Sequence, residues 1–442
     1  MSNFPLVVSS RNTAIQHQIW AKILKAMPMR KPTGTWIIAG LTLLFVVALI
    51  VVPRTRAPRA NLVIQPPHGV AKFRPIRVSL NAEPVTSIAI QIDGPFQVIP
   101  LGGAQVLLDR PKQAKTTISL ASNGFLWDRQ ELTAPRLTIT PLSGGVWVGE
   151  KEYSGAIHLI RIPGSRFQVV NSVPLEDYVA CVVDSEMPKE FGPEARKAQA
   201  IAARSYALSQ MQNARKGVFY DLHASTRSQK YNGRRYRTAD GRLLAGDSVE
   251  SRRLAYETAG MVCTYRGKLF CTYYSAVCGG RTSLGSDFFS DAAHPHQSVA
   301  CEWCGDAPLY RWQTMRTNTE VQEKLRRYWA DQGIRFETLK SLEVGPIPHL
   351  GGVPAVFMSD DKQTLSVPAT AFRRILGTNG LSSHHFQAAL HGSNWVFTGS
   401  GNGHGVGLCQ WGARGLDHAG KNGLEILAYY YPGAEVVVLT DQ

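Results

Sequence analysis

Residues 173–188 read VPLEDYVACVVDSEMP, and the character of the chain changes at this point. Leu175, Tyr178, Val179, Val182 and Val183 recur at helical spacing and predict a helix with one buried face. Pro174 suits the first helical turn, and Glu176 and Asp177 complement the positive end of the helix dipole. Pro188 ends the helix, so Glu186 falls in its last turn, where the dipole disfavours a carboxylate. A residue that breaks a local rule in this way hints at function. Taken alone, Glu186 also has a plainer reading as one partner of a surface ion pair.

Working outward, residues 193–211 (PEARKAQAIAARSYALSQM) predict a second helix. Ala195, Ala198, Ala202 and Ala203 leave room for another helix to approach, and Gln199 and Arg204 project from this small-residue surface. Upstream, residues 76–161 read as short strands. RVSLN (77–81) and SIAIQI (87–92) alternate, Gly94-Pro95 and Gly102-Gly103 punctuate them, and further strands are expected at 136–141, 146–148 and 157–162. Downstream, 261–264 and 269–276 flank a turn at Arg266-Gly267 and predict a hairpin. An amphipathic helix follows at 319–332, then short strands near 355–357 and 364–367, and a last strand at 434–439. The pattern is α+β, a mixed β-rich scaffold that carries helices.

The 442 residues are 44% apolar and 18% charged, which excludes a disordered chain. The net charge of +15 first suggests nucleic acid, but its distribution argues against that. Residues 1–82 hold eleven Lys/Arg and no Asp or Glu, so the other 360 residues carry only +4. The basic excess surrounds an apolar run, residues 36–52 (WIIAGLTLLFVVALIVV). With residues 33–35 it approaches the about 20 residues that cross a hydrocarbon core, and Trp36 stands where an interfacial aromatic belongs. The expected organisation is a cytoplasmic basic tail (1–34), a transmembrane helix (35–52), a stiff Pro/Arg linker (53–75) and a folded body (76–442) divided into 76–170 and 171–442. The body is expected outside the cell membrane, on the periplasmic or cell-wall side. A cleaved signal peptide is the competing reading, opposed by the long basic lead-in.

Two further stretches carry chemistry. In TGSGNGHGVGLCQWGA (398–413) glycines occupy 399, 401, 403, 405 and 407, a period of two. In an extended segment this leaves one face without side chains, against which a flat ligand or another backbone can lie. His404 sits on the opposite parity, and Gln410 and Trp411 open the next helix. The seven cysteines include Cys301-Glu-Trp-Cys304 and Cys278 before Gly279-Gly280. With His294 or His296 nearby, Cys278, Cys301 and Cys304 suit a tetrahedral zinc site, with a disulfide as the direct competitor. Cys263 and Cys271 face each other or lie adjacent in the hairpin, cross-linked or merely buried.

Together the stretches VNSVPLEDYVACVVDSEMP, PEARKAQAIAARSYAL, YYSAVCGGRT, TLSVPATAFRRILG, GSGNGHGVGLCQWGARG and ILAYYYPGAEV resemble the SpoIID/LytB family. This family comprises stage II sporulation protein D-like peptidoglycan enzymes and amidase enhancers. The resemblance spans residues 170–438 in the family's order. It implies helices forming a glycan groove, with Glu186 as catalytic acid/base and Arg204, Gln199, His404 and Gln410 binding substrate. It also implies a structural zinc near the Cys-Gly-Gly motif, held by Cys278, Cys301, Cys304 and His294, and no cofactor for the chemistry itself. Many members have a histidine where this chain has Tyr274.

The implied activity is a membrane-anchored lytic transglycosylase that cleaves between N-acetylmuramic acid and N-acetylglucosamine to 1,6-anhydro ends. The alternative is a non-catalytic glycan binder that enhances an N-acetylmuramoyl-L-alanine amidase. A single carboxyl suits the lytic reaction, because the sugar's own 6-hydroxyl is the nucleophile; a typical glycoside hydrolase needs two carboxylates. Asp184, two residues from Glu186, lies on another helix face and is a poor second candidate. The expected partners are glycan strands, the cell membrane and a cell-wall amidase, without nucleic acid.

Overall fold

In the computed structural model, residues 71–215, 217–346, 354–377 and 380–440 are described. Among them no helix is long and apolar enough to cross a membrane. The expected span, residues 36–52, lies outside the described residues, as do the basic tail and most of the linker. The expectation of a single-pass membrane protein with an extracytoplasmic body is corrected accordingly: no described helix supplies a span.

The alternating segments of the N-terminal half build two mostly antiparallel sheets. One has seven strands, with Ile76–Ser79, Arg166–Val173, Ala156–Ile162, Arg136–Pro141 and Phe96–Pro100 side by side at its centre. The other has eight, running through Lys151–Tyr153, Val146–Val148, Ser87–Ile92 and Gln113–Ala121. Their inner faces share one core, in which Ile90, Ile118, Phe125 and Trp127 of one sheet meet Phe96, Val98, Ile139 and Phe167 of the other. Three strands from beyond residue 171 complete these sheets. Leu222–His223 adds to the first, and Arg235–Arg237 and Leu243–Ala245 add to the second. The 76–170 segment is therefore continued by later chain.

Helix α1 (Leu175–Glu186) leaves the first sheet at once, capped by Pro174, and buries Leu175, Tyr178, Val179, Val182 and Val183. Met187 is extended, as the residue before a proline should be, and the helix stops there. Helix α2 (Pro193–Gln212) starts on its proline and is buried from Ala195 to Ser209 except at Lys197. It packs against α1, against α3 (Val249–Glu257) and against the strand Met261–Tyr265. The hairpin turns at Arg266 and Gly267, both at positive φ (52° and 71°), the backbone that a two-residue hairpin turn requires.

Residues 311–400 form a part with its own core of Trp312, Val321, Leu325, Trp329, Phe372 and Phe397. It consists of two three-stranded sheets with helices α4 (Asn318–Ala330) and α5 (Ala369–Leu376). The chain then returns through the glycine run to α6 (Gln410–His418) and α7 (Gly423–Tyr430), and the strand Glu435–Val438 closes on Met261–Tyr265.

The glycine run is not the smooth extended face its periodicity predicts. Gly401, Gly403, Gly405 and Gly407 all have positive φ, between 71° and 103°, so the backbone reverses locally at each one. What lies close against it is the protein's own backbone. A Cβ on Gly407 would come within 2.0 Å of the Tyr273 carbonyl oxygen, and one on Gly401 within 2.7 Å of that of Val277.

Candidate active site and cysteine centre

Glu186 is half-buried at the end of α1, and three neutral groups hold its carboxyl. The Lys230 backbone N–H donates to Oε1 at 2.6 Å, and the Tyr274 hydroxyl donates to the same oxygen at 3.4 Å. The Gln410 side chain is the third partner. Burial pushes the carboxyl above its ordinary value of 4.5, outweighing the lowering effect of the Lys230 N–H and charge and of the Gln410 and Tyr274 hydrogen bonds. The adjacent Asp184 is engaged elsewhere. It is ion-paired with Arg196 at 2.5 Å, both side chains being buried, and it accepts hydrogen bonds from Ser248. Among the described residues, no second carboxylate has a hydrogen bond with Glu186.

Gln410 opens α6, and the parallel pairing of Tyr274 with Leu408 and of Ser275 with Cys409 carries it to Glu186. Its Nε2 donates to Gln199 Oε1 at 3.3 Å. Gln199 is fully buried behind it, with its own Nε2 unpartnered. Gln199 therefore backs Gln410 and does not itself face an open groove. His404 lies beside the same strand. Its Nδ1 accepts the Val406 N–H at 3.0 Å, so the neutral ring carries its proton on Nε2. Burial and the charge of Arg373 lower its pKa to about 4, although a hydrogen bond to the Tyr274 backbone acts the other way.

Arg204 departs from the expectation that it lines the groove. It is 0% exposed, and its guanidinium grips Glu176 in the first turn of α1 through Nε at 2.9 Å and Nη2 at 2.5 Å. Its remaining hydrogens go to the carbonyls of Met261 and Ala255 and to Thr258. The alanines around it let three elements close over α2, and the arginine became the bolt between them. Two partners of Glu186 escaped the sequence reading. The sequence marks Tyr274 only as standing where many family members have a histidine. The Lys230 contribution comes from a main-chain N–H, which no side-chain pattern reveals.

The four buried thiols of Cys278, Cys301, Cys304 and Cys409 converge, all their Sγ atoms lying within 4.8 Å of one another. The fourth member is thus Cys409 and not His294. His294 is exposed and stacks flat on Tyr265 at 5.3 Å. Its nearness in sequence to the C-x-x-C pair is not nearness in space, whereas the pairing of Ser275 with Cys409 brings Cys409 beside the segment that leads into Cys278. All seven cysteines are free thiols, Cys263 and Cys271 included. The Cys278–Cys304 sulfur separation is 3.7 Å. A tetrahedron with zinc–sulfur bonds of about 2.3 Å has an edge of about 3.8 Å, so the donor set fits zinc. Supporting groups surround the sulfurs. The N–H groups of Cys278 and Gly412 donate to Cys409 Sγ at 3.3 and 3.4 Å, and the Tyr430 hydroxyl lies 3.1 Å from Cys301 Sγ. A Cβ on Gly412 would come within 1.9 Å of that hydroxyl oxygen and 2.7 Å of the sulfur, so only glycine fits there.

Residues 164–265, which contain α1, α2 and Glu186, match the family model described as stage II sporulation protein. Residues 302–407 match a domain of unknown function, DUF8618. Stage II sporulation protein D of Bacillus subtilis (strain 168) is 30% identical over 281 residues, which cover 61% of this chain and 76% of that protein. The chain belongs to the SpoIID/LytB family. An uncharacterized protein of Brachyspira hyodysenteriae is 32% identical over 289 residues, 65% of this chain and 72% of that protein. The amidase enhancer of Bacillus subtilis is more distant, 24% identical and matched over only 39% of its own length. Membership of the SpoIID/LytB family gives the chain a cell-wall-related role. In this SpoIID-like chain the stretch matched by the sporulation model ends before Cys278. The cysteine centre therefore lies outside that stretch: Cys278 and Cys301 fall between the two matched regions, Cys304 inside the second and Cys409 just beyond it.

Proposed function

We propose that the chain is a lytic transglycosylase acting on the glycan strands of peptidoglycan. One observation carries this reading: a lone half-buried carboxyl, raised in pKa and held by neutral donors with no second carboxylate among them. Protonated Glu186 gives its proton to the glycosidic oxygen as the bond from C1 of N-acetylmuramic acid to that oxygen breaks. The sugar's 6-hydroxyl then closes on C1, and the Glu186 carboxylate takes the hydroxyl proton, leaving a 1,6-anhydro end and a regenerated acid. No water is consumed, which is why one carboxyl suffices. Gln410 and Tyr274 hold the carboxyl in place, and neutral His404, hydrogen-bonded to the Val406 N–H and the Tyr274 backbone, fixes the neighbouring turn. Arg204 acts at one remove, fixing α1 through Glu176.

In the same reading, Cys278, Cys301, Cys304 and Cys409 hold a structural zinc. Bound there, the ion would supply cross-linking and no chemistry; it would tie the Cys-Gly-Gly segment to the start of α6, where Gln410 follows Cys409 directly. A cell-wall amidase is a proposed partner, since one relative is named an amidase enhancer.

The test is Glu186→Gln in the full chain, assayed on peptide-stripped glycan strands with binding measured in parallel. Turnover should fall by about 10²–10⁴-fold with glycan binding kept. Unchanged turnover removes Glu186 from the chemistry. Binding without products from the parent chain moves the reading to a non-catalytic amidase enhancer.

A further inference from the structure

Beside the proposed glycan site, the 279–288 loop meets the edge of the 383–400 segment, and a cavity of ≈ 460 Å³ opens between them. Ser283, His385, Arg281, Phe288 and Ser400 line it. The Ser283 Oγ lies 3.2 Å from His385 Nε2 and 3.5 Å from His384 Nε2. Satisfying a buried serine takes one acceptor; here two imidazoles present the same nitrogen to one hydroxyl. His384 is buried behind the wall against Phe288, with ring centroids 4.4 Å apart, while Ser283 and His385 both face the cavity.

The hydroxyl can give its proton to only one of them. Donation to His385, the nearer, leaves His384 to donate its Nε2 hydrogen to the serine oxygen. Both rings are neutral, and His385, whose Nε2 accepts the hydroxyl proton, is the one placed to act as base. Burial lowers the pKa of each, and with neighbouring positive groups it brings His384 down to about 2. The serine is also fixed relative to His404. Its N–H donates to the Gly405 carbonyl at 2.9 Å, and a Cβ on Gly405 would stand 2.8 Å from its Oγ. The hydroxyl therefore lies beside the His404–Gly405 turn.

We propose that Ser283 and His385 form a second, acyl-transfer site, which removes O-acyl esters from the sugar hydroxyls of the glycan. Ser283 Oγ bonds to the ester carbonyl carbon while its proton passes to His385 Nε2. The bond from that carbon to the sugar oxygen breaks, and His385 returns the proton to the departing oxygen. Water then attacks the acyl-serine, its proton passing through His385 back to Ser283 Oγ, and the free carboxylic acid leaves. Arg281, on the same cavity wall, supplies positive charge for the oxyanion of each step. The choice of substrate rests on the lytic reading: that reaction needs a free 6-hydroxyl, and an ester on this oxygen blocks it.

The experiment uses the full chain with two probes, p-nitrophenyl acetate and glycan strands in which only part of the muramic acid is 6-O-acetylated, so that unblocked residues remain open to the lytic reaction. Acetate and anhydro ends are measured in the same digest. Acetate release is expected from both probes, reduced by about 10²-fold or more in Ser283→Ala and in His385→Ala. A fluorophosphonate probe should label the peptide containing Ser283 and lose it in Ser283→Ala. Acetate release no faster than without protein overturns the proposal, as does release that survives Ser283→Ala in protein with an unchanged melting temperature. Anhydro ends without acetate release sink this site and leave the lytic reading standing. Acetate release without anhydro ends does the reverse.

Discussion

Helix α1 carries a carboxylate at each end, and the two have opposite surroundings. Glu176, in the first turn, lies at the favourable end of the dipole and is gripped by a fully buried arginine. Glu186, in the last turn, lies at the unfavourable end, and its hydrogen-bond partners are a backbone N–H, a phenol and an amide. One end is tied into a buried ion pair that locks three elements together. The other is arranged to make charge costly, as a proton donor working near neutral pH requires. The neighbouring Asp184 is ion-paired with Arg196 and Glu176 with Arg204, so both helix ends are anchored by buried pairs that do not include Glu186.

Emptying the cysteine centre should disturb this contrast most, because α6 carries Gln410 to the Glu186 end. Elemental analysis is expected to give about one zinc per chain, with the metal lost in Cys409→Ser and the melting temperature falling on chelation. Cys278–Cys304 disulfide in metal-free protein would show the competing arrangement. Arg204→Met comes next. It leaves Glu176 without its cation, and breaking such a buried pair costs about 3–5 kcal/mol in denaturant unfolding. A loss below about 1 kcal/mol, the range of exposed pairs, would mean the Glu176 end is not the anchor.

Glu186→Gln should move stability the other way. The folded-state pKa of Glu186 is raised, so ionising the buried carboxyl opposes folding. That penalty is absent below the ordinary value of 4.5 and is complete above the raised folded value. The variant should therefore be more stable than the parent at neutral pH and indistinguishable from it in acid, as read from melting temperatures across pH. A variant less stable at neutral pH would mean the carboxylate is held as firmly as Glu176. Tyr274→Phe should have the smallest effect. It removes a 3.4 Å contact that favours the ionised form, so the alkaline limb of the activity profile should move slightly upward, with turnover changed by less than about tenfold. A downward shift would mean the phenol stabilises the protonated acid.

Much of this contrast was legible in the sequence. Pro174, the helical apolar spacing and Pro188 fixed α1, and with it the position of Glu186 in the last turn. Three of the four converging thiols followed from local spacing. Cys409 did not, because it reads as part of the glycine run, and only the pairing of 274–275 with 408–409 brings it to Cys278. Arg204 was misplaced for a related reason. Its place in a groove is what the family resemblance implies, yet the alanines around it draw neighbouring elements over it until nothing of it is exposed. The period-two glycines were read as strand geometry, whereas left-handed backbone at alternate residues gives the same spacing without a strand. Ser283, His384 and His385 carried no signal at all, since the histidines follow the serine by about a hundred residues and meet it only across the edge of the 311–400 part.

The central claim is that Glu186 acts alone, with the sugar's own hydroxyl as nucleophile, and digestion in heavy-oxygen water tests it most directly. Peptide-stripped glycan is incubated with the full chain in that solvent, and the new ends are weighed by mass spectrometry. The account predicts 1,6-anhydro ends that contain no oxygen from the solvent. Reducing ends carrying the heavy isotope would mean that water attacks C1, that a second activating group exists, and that the account is wrong.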